Sequence, residues 1–366
     1  MRMHMPAAGG ISMRTFNTMF STRPNPNRHM SLLLLCLVQV LSLLLCGRAF
    51  AGCSSGGGQS FTLTLPASVS VPRDAPVGSL LTNWVTSPAS SNLWNCSSSG
   101  GILGVGIQLG PNVGASTGLT YTYTVYKTNV AGVGIVVAGR TYTANAGWYG
   151  WFGPYGGKAY TGMTATWSMG AQVQVALVKS GTVSVGGTVS GGVVAQAFPN
   201  SDGPLYNLID SYVITPVNIV PLTCTTPDVS IPMGTFVPAD FPAVGSLSPR
   251  PASFNVQILN CPAGTAVSGT QAGQLHSIQY RIDPTGGTVA TNVAALNGSP
   301  SASGVGIQLF NASGGVFPLA SLQTLSGFSP TAGGDYTVPL TARYYRTGTI
   351  TPGPANATMT LTVSYQ

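Results

Sequence analysis

The chain has 366 residues, of which 44% are hydrophobic and only 6% are charged, and it contains 48 Gly and 27 Pro. This length allows two domains of ordinary size, and the composition is too apolar for a disordered chain and too poorly charged for long exposed helices. The first 51 residues hold five of the 14 Lys and Arg; the other nine face seven Asp and no Glu. The formal net charge of +7 is therefore concentrated near the start, and the remaining chain lacks the basic surface of a nucleic-acid-binding protein.

Residues 1–51 have the pattern of a secretory signal peptide. The apolar run SLLLLCLVQVLSLLLC follows a basic flank and precedes Ala49-Phe50-Ala51. A basic flank, an apolar stretch of about 15 residues and an A-x-A motif are typical of a cleaved signal, and the stretch is shorter than the roughly 20 residues of a membrane-spanning helix. We predict cleavage after Ala51, with Ala49 as the alternative.

Four cysteines follow the predicted signal peptide: Cys53, Cys96, Cys224 and Cys261. An even number of Cys in an exported chain indicates disulfides, and three pairings are formally possible. Pairing in sequence order closes two loops of similar length, one near the start of each half. We predict the bridges Cys53–Cys96 and Cys224–Cys261.

The two halves of the remaining chain resemble each other. The hexapeptide GVGIQL occurs at 104–109 and again at 304–309, each time after the second Cys of a half. Each half is therefore predicted to be one domain with its own cystine. The predicted boundaries are an N-terminal domain at 52–216, a linker at 217–223 and a C-terminal domain at 224–366.

Alternating β-branched and aromatic residues run through the chain. Residues 61–65, 121–126 and 173–177 alternate with period two, which is the pattern of strands with one buried face. No segment after the signal peptide shows a helical period with caps. Many short strands with frequent turns are typical of immunoglobulin-like sandwiches, so we predict an all-β fold with two such domains.

The segment GWYGWFGPYGGKAY at 147–160 combines six aromatic residues with five Gly and one Pro. Gly and Pro predict a loop, and aromatic faces in a loop can stack on sugar C–H groups or proline rings. The alternative is that some of these side chains close the core, since Trp is highly buried on average. All five Trp lie in the first half, which favours it as the recognition domain. We predict a receptor-binding surface of four aromatic residues, with two cations for acidic sugars or carboxylates: Trp148, Tyr149, Trp151, Tyr155, Arg140 and Lys158.

A second candidate for receptor binding is the polar loop PNSDG at 199–203, which follows a predicted strand at 193–198. Short polar side chains suit the recognition of hydroxyl groups. A plain turn rich in Asn, Asp and Gly is the alternative. We add Asn200 and Asp202 to the predicted receptor-binding residues.

The chain ends in ATMTLTVSYQ, in which Met359, Leu361, Val363 and Tyr365 form one apolar face. Such a strand is either an ordinary edge strand or one offered to a partner. This ending resembles the ending of the pilins of chaperone–usher fimbriae. The same resemblance extends to the sequence at 342–366, the pair Cys224 and Cys261, and ASGVGIQLF at 302–310. The first half resembles the receptor-binding domain of two-domain fimbrial tip adhesins at 69–84, 126–135 and 175–191.

The resemblance implies that the C-terminal domain is a sandwich lacking its last strand, with an apolar groove that must be covered. A periplasmic pilus chaperone would lend a strand, and at the outer-membrane usher the N-terminal extension of the adjacent pilin subunit would replace it. The alternative is that the apolar residues of the last strand only fill a closed core. The predicted strand-pairing residues are Met359, Leu361, Val363 and Tyr365, with chaperone anchoring near Gln366.

The segment GCSSGGGQS at 52–60 lacks the apolar alternation of a donor strand, so we predict a position at the fibre tip. The resemblance implies a fimbrial tip adhesin, exported through the periplasm to the cell surface, that attaches the bacterium to a host glycan or matrix protein. Ser occupies 97–99, where mannose-binding relatives carry acidic and amide residues, which argues against mannose; collagen, another matrix protein or a different glycan fits at least as well. A non-adhesive adaptor or minor pilus subunit is the alternative function.

Catalysis, cofactors and metal ions are not predicted. After the signal peptide the chain has one His, His276, and no Glu. A Ser-His-Asp site would need that His, and glycoside hydrolysis would need paired carboxylates in a recognisable arrangement. Metal-ligand spacing is also absent from the sequence.

Overall fold

The computed structural model describes residues 53–96, 101–107, 112–115, 123–144, 147–151, 158–163, 167–199, 209–299 and 301–366. These residues form 24 strands and one 3-10 turn at Pro238–Asp240, which confirms the predicted all-β fold. Residues 51–366 belong to one compact unit that contains two large hydrophobic cores. No helix in the described ranges is long and apolar enough to span a membrane.

The strands around the first core make up the first domain. They are β1 (Cys53–Ser55), β2 (Ser60–Leu63), β3 (Ser68–Pro72), β4 (Val85–Thr86), β5 (Trp94–Cys96), β6 (Gly101–Ile107), β7 (Asn112–Ala115), β8 (Thr124–Lys127), β9 (Val133–Thr143), β10 (Gly147–Trp148), β11 (Lys158–Met163), β12 (Trp167–Lys179), β13 (Gly187–Val189), β14 (Gly192–Phe198), β15 (Asp210–Ile214) and β16 (Val217–Leu222).

Three sheets build the first domain. The largest has the order β1-β5-β12-β9-β8-β7, with β10 also on β9 and β4 also on β12; the others are β11-β6-β14-β15-β2 and β13-β16-β3. The long strands β9 and β12 are apolar on both faces because both faces are covered. Ile135 and Val137 pack into the main core, whereas Val136 and Ala138 pack into a smaller cluster beneath Trp84, Tyr123 and Trp151.

The predicted linker at 217–223 is largely a strand. Residues 217–222 form β16, which pairs in parallel with β3 and antiparallel with β13. The physical reason is its alternation, since Val217 and Ile219 are buried whereas Asn218 and Val220 are exposed. The strand β16 therefore belongs to a sheet of the first domain, Leu222 at its end packs into the second core, and only Thr223 separates β16 from Cys224.

A buried carboxylate joins three segments of the first domain. Asp210 is fully buried, and its Oδ1 accepts a hydrogen bond from the Gln59 backbone N–H at 2.9 Å. Its Oδ2 accepts from the Ser90 hydroxyl at 2.5 Å. Burial raises the pKa of Asp210 above its ordinary value, and the hydrogen bonds from Ser90 and Gln59 oppose that rise.

The second domain has its own core between two sheets, in the orders β17-β23-β21-β20-β19 and β22-β18-β24. The Cys224–Cys261 disulfide is present, as predicted. In the first domain Cys53 lies opposite Cys96 where β1 pairs with β5; a bridge there stays a prediction. The strands of the second domain are β17 (Ala252–Cys261), β18 (Ile278–Pro284), β19 (Thr288–Ala290), β20 (Val293–Ala294), β21 (Ser303–Asn311), β22 (Gln323–Thr324), β23 (Gly334–Thr351) and β24 (Met359–Tyr365).

Candidate functional site

Arg140 lies between two indole rings on the outer face of the largest sheet. Its Cζ is 4.4 Å from the ring centroid of Trp148 and 4.6 Å from that of Trp151. The period-two alternation of β9 places Arg140 on the face of Val136 and Ala138, away from the main core. Each cation–π contact is worth about 0.5–2 kcal/mol, so the two rings fix the guanidinium at the surface. We call Arg140, Trp148 and Trp151 the Arg140 cluster.

The chain reverses between β9 and β10 to bring Trp148 over Arg140. Gly147 has a φ of +75°, which Gly adopts without steric cost, and it pairs with Thr143 while Trp148 pairs with Tyr142. The rings of Tyr142 and Trp148 lie 5.0 Å apart. This local fold leaves Trp148 40% exposed, so its ring is accessible to a ligand.

The Arg140 guanidinium uses one of its N–H donors in a hydrogen bond to another described residue. Its Nε donates to Oε1 of Gln172 on β12 at 2.7 Å, and Gln172 in turn donates to the Ser87 carbonyl at 2.7 Å. Within the described residues, Nε is the one Arg140 nitrogen that donates a hydrogen bond. The two terminal nitrogens can therefore meet a carboxylate in the bidentate geometry that Arg favours.

The other predicted receptor-binding residues divide into two groups. Tyr149 is half-buried and packs against the main core, with its backbone N–H donating to the Thr141 carbonyl at 2.8 Å. Lys158 begins β11, opposite Gly106. The remaining three lie outside the described residues: Tyr155, Asn200 and Asp202.

Gln172 and Tyr142 are parts of this surface that the sequence analysis missed. Both sit at alternate positions of strands whose neighbouring positions are buried. A polar side chain at an outward position in a strand such as AQVQVALV is the signal that could have identified Gln172.

A second candidate site is an open cavity of about 1140 Å³ in the second domain. One wall is the segment 226–237, which forms no strand. The floor is apolar and includes Val256, Ile307 and Leu309, and the opposite wall includes Met359 and Leu361 of β24. A cavity with an apolar floor beside a strand is a surface that a partner can cover.

The strand β24 forms an edge of its sheet beside this cavity. It pairs antiparallel with β18, and β18 is its one strand partner in the described ranges. Of the predicted strand-pairing residues, Met359 and Leu361 are half-buried in the cavity wall. Val363 and Tyr365 are buried in the second core, and the Tyr365 hydroxyl donates to the Cys224 carbonyl at 3.1 Å.

The last residue, Gln366, is held by backbone hydrogen bonds to the start of β18. Its carbonyl accepts from the backbone N–H groups of His276 and Ser277, the latter at 2.9 Å. The one His of the described residues therefore contributes its backbone here. In the described part of the chain, no group of three or more His, Cys, Asp or Glu is arranged to hold a metal ion.

Two family models match this chain. The fimbrial protein model matches residues 213–366, and the model of the MrkD-like receptor binding domain matches residues 66–213. The two matches meet at Val213, within β15. The cavity and β24 thus lie in the part that is similar to fimbrial proteins, and the Arg140 cluster lies in the part that is similar to a receptor-binding domain.

Individual relatives extend this similarity. The chain is 36% identical over 115 residues to the type-1 fimbrial protein A chain of Escherichia coli strain K12, which covers 31% of this chain and 58% of that protein. It is 31% identical over 139 residues to a second Escherichia coli type-1 fimbrial A chain, covering 38% of this chain and 71% of the relative. A solved structure, the CupB6 tip adhesin from Pseudomonas aeruginosa, matches with a TM-score of 0.32 and 14% identity over 86% of this chain and 93% of that chain. The chain thus spans little more than half of the first curated relative.

Proposed function

Because this chain belongs to the fimbrial protein family, we propose that it is a fimbrial adhesin whose first domain binds a receptor and whose second domain joins the fibre. The observation that carries the adhesive part is the Arg140 cluster. A cation fixed between two Trp rings, with two terminal nitrogens that bond no other described residue, suits ligand binding, and the main core packs on the other face of β9.

The chemistry of the Arg140 cluster favours a ligand that combines a carboxylate with an apolar ring face. The terminal nitrogens of Arg140 would bind the carboxylate, and the exposed face of Trp148 would stack on the ring. Acidic glycans and acidic or proline-containing segments of matrix proteins both carry these groups. The receptor we propose is therefore a host glycan or matrix protein, with Tyr149, Tyr155, Lys158, Asn200 and Asp202 as further candidate contacts.

The cavity beside β24 supports the assembly part of the proposal. An incoming strand from the adjacent pilin subunit would pair with the free edge of β24 and place alternate apolar side chains against the cavity floor. Before assembly, a periplasmic chaperone would occupy the same edge, anchored near Gln366, until the outer-membrane usher exchanges it. Met359 and Leu361 would contact either strand directly.

The position we propose is the fibre tip, outside the cell. The segment 53–60 is held in the first domain: β1 pairs with β5, and the Gln59 backbone N–H donates to Asp210. A segment held in this way is not free to enter a neighbouring subunit as a donor strand. We propose no catalytic role for the chain.

Replacing Arg140 with Ala is expected to weaken receptor binding by roughly 10-fold to 100-fold, because hydrogen bonds from a charged donor contribute about 1.5–3 kcal/mol. The measurement is binding of the purified full chain to an array of glycans and matrix proteins. Trp148→Ala should cause a loss of similar size by removing the stacking face.

The matched control is Lys127→Ala, which removes an exposed cation elsewhere on the largest sheet and should leave binding unchanged. Binding retained by folded Arg140→Ala and Trp148→Ala would move the receptor site away from the Arg140 cluster. An array on which the parent itself binds nothing would favour the adaptor or minor subunit.

A further inference from the structure

Two residues of the first domain contact the end of β24. The backbone N–H of Asp74 donates to the Tyr365 carbonyl at 2.9 Å, and Asp74 Oδ2 accepts from the Tyr365 N–H at 3.0 Å. Arg73 donates to the Val363 carbonyl, and its Cζ lies 4.8 Å from the centre of the Tyr365 ring. We call Arg73 and Asp74 the edge cap, because they bond the free edge of a strand.

The edge cap occupies the positions that a neighbouring strand would use. In an antiparallel pair, the backbone groups of alternate residues point away from the partner. Since both backbone groups of Tyr365 and the carbonyl of Val363 bond the edge cap, the outward-facing residues of β24 are the odd-numbered ones. An incoming strand can therefore reach Met359, Leu361 and the N–H of Val363, but finds the rest of the edge taken.

The edge cap is fixed in place by the first domain. Arg73 and Asp74 form an ion pair with a separation of 2.8 Å, and the Arg73 carbonyl accepts from the Val183 N–H at 3.2 Å and from the amino group of Lys179. Lys179 is buried, so this amino group is held between the carbonyls of Pro72 and Arg73. The cap is thus bonded to the rest of the first domain through the Arg73 carbonyl, and its two side chains are bonded to each other.

A second contact between the domains holds the cap against β24. The backbone N–H of Gln271 donates to the Leu80 carbonyl at 2.8 Å, and that of Gly273 donates to the Ser70 carbonyl at 2.8 Å. Between them, Ala272 is buried in the core of the first domain. A loop of the second domain therefore completes the first domain's core near β3, the strand that the cap directly follows.

The cavity ends where the edge cap begins. Its lining includes β24 from Met359 to Leu361 and excludes Val363 and Tyr365, whose side chains are buried. The cavity thus ends at Leu361 and the free backbone edge ends at the Val363 N–H, and they end for different reasons. The cavity ends because the side chains of Val363 and Tyr365 fill the core. The free backbone edge ends because the first domain supplies hydrogen bonds to the remaining groups.

We propose that the edge cap is a stop for strand addition. A donor segment of an adjacent subunit pairs with β24 only as far as Leu361 and the Val363 N–H, and a strand that pairs through Tyr365 must first displace Arg73 and Asp74. The inference rests on the proposed function of the cavity as a strand acceptor. It goes further in setting the length of the donor segment that fits the intact chain.

The test uses two synthetic peptides of alternating Thr and Val, each with a Lys at both ends for solubility. The shorter has seven alternating residues, to match 355–361, and the longer has eleven, to match 355–365. Binding of each to the purified full chain is measured by fluorescence anisotropy. The parent should bind both with nearly the same affinity, because the extra residues of the longer peptide find one free partner, the Val363 N–H, and meet the edge cap at every other outward-facing group.

The double variant Arg73→Ala with Asp74→Ala removes both side-chain bonds of the edge cap to β24 and leaves the backbone N–H of Asp74 on the Tyr365 carbonyl. It should bind the longer peptide roughly tenfold tighter than the shorter one, the gain expected from two further backbone hydrogen bonds. Asp74→Asn keeps an oxygen that accepts from the Tyr365 N–H and should behave as the parent. The matched control is Arg281→Ala with Asp283→Ala, which removes an ion pair of 2.8 Å on β18 and should also show no preference.

A preference for the longer peptide in the parent, equal to that of the double variant, would overturn the stop. So would a folded double variant without a preference. If the double variant does not fold, Arg73→Ala alone, which frees the Val363 carbonyl, should still favour the longer peptide by about threefold. If neither peptide binds the parent or any variant, the strand-acceptor function itself is wrong. Failure of the stop alone is different, because the peptides then still bind.

Discussion

Leu361→Asp is expected to abolish incorporation of the chain into fibres, with a loss of more than about 100-fold. Leu361 lies in the cavity wall opposite Ile282 of β18, and an incoming strand would bury the new carboxylate without a partner. An unpaired buried charge carries a penalty of several kcal/mol, which exceeds the contribution of any single pair of apolar side chains in the groove. The measurement is the amount of the chain in sheared fibres relative to the periplasm, in cells that supply the other subunits.

The control for this prediction is Thr362→Asp, one residue further along the same strand. Thr362 is exposed on the outer face and lies opposite Arg281, so the added carboxylate stays in water beside a cation. Incorporation should therefore remain at the parental level. Parental incorporation of Leu361→Asp, with near-UV circular dichroism showing a native fold for both variants, would rule out strand pairing at this residue.

Asp210→Ala is expected to lower the free energy of unfolding of the first domain by about 3 kcal/mol. The substitution leaves the half-buried Gln59 N–H and the buried Ser90 hydroxyl without their acceptor, and an unsatisfied buried donor costs about 1–3 kcal/mol; the lost side-chain volume adds to this. Tryptophan fluorescence during urea unfolding is a selective measurement, because all five Trp lie in the first domain. A variant with parental stability would show that other contacts hold together the segments that contain Gln59, Ser90 and Asp210.

The pH dependence separates the charge of Asp210 from its hydrogen bonds. Because burial raises its pKa, the folded chain keeps this proton at pH values where the unfolded chain has lost it. The stability from protonation is complete below the ordinary value of 3.8 and is lost as the pH rises through the raised pKa.

Asp210→Asn is the matched variant for that pH dependence. Its oxygen can accept from Gln59, and its amide can donate to Ser90, whose hydroxyl can turn to the Ala171 carbonyl at 3.1 Å. The difference in melting temperature, parent minus variant, should therefore fall as the pH rises above about 4. A constant difference across this range would contradict the assignment of the raised pKa to Asp210.

The features that could be predicted from the sequence are those with a short-range signal. Period-two alternation predicted the strands at 173–177 and 359–365 and the all-β class, and the motifs of the second half predicted the family, which the matches confirm. The Cys224–Cys261 bridge followed from the Cys count and order. Each of these depends on residues close in the chain or on a simple pairing rule.

The interactions that could not be predicted join residues far apart in sequence. Asp74 was one of three carboxylates of the first half, and nothing near it indicates a bond to Tyr365, 291 residues away. Gln172 reaches Arg140 only because β9 and β12 are neighbours in register. The strand at 217–222 was mistaken for a linker because its parallel partner, β3, lies about 150 residues earlier.

The join between the domains has a mechanical consequence. Leu222 is the last residue of β16, and Cys224 is bonded to Cys261. Thr223 is the single residue between them. A tensile load applied to the second domain would act on the hydrogen bonds of β16 with β3 and β13 and on the bonds of Tyr365, Gln271 and Gly273 with the first domain. Extension of the molecule would then require hydrogen bonds to break, because the described residues between the domains include no flexible tether to straighten.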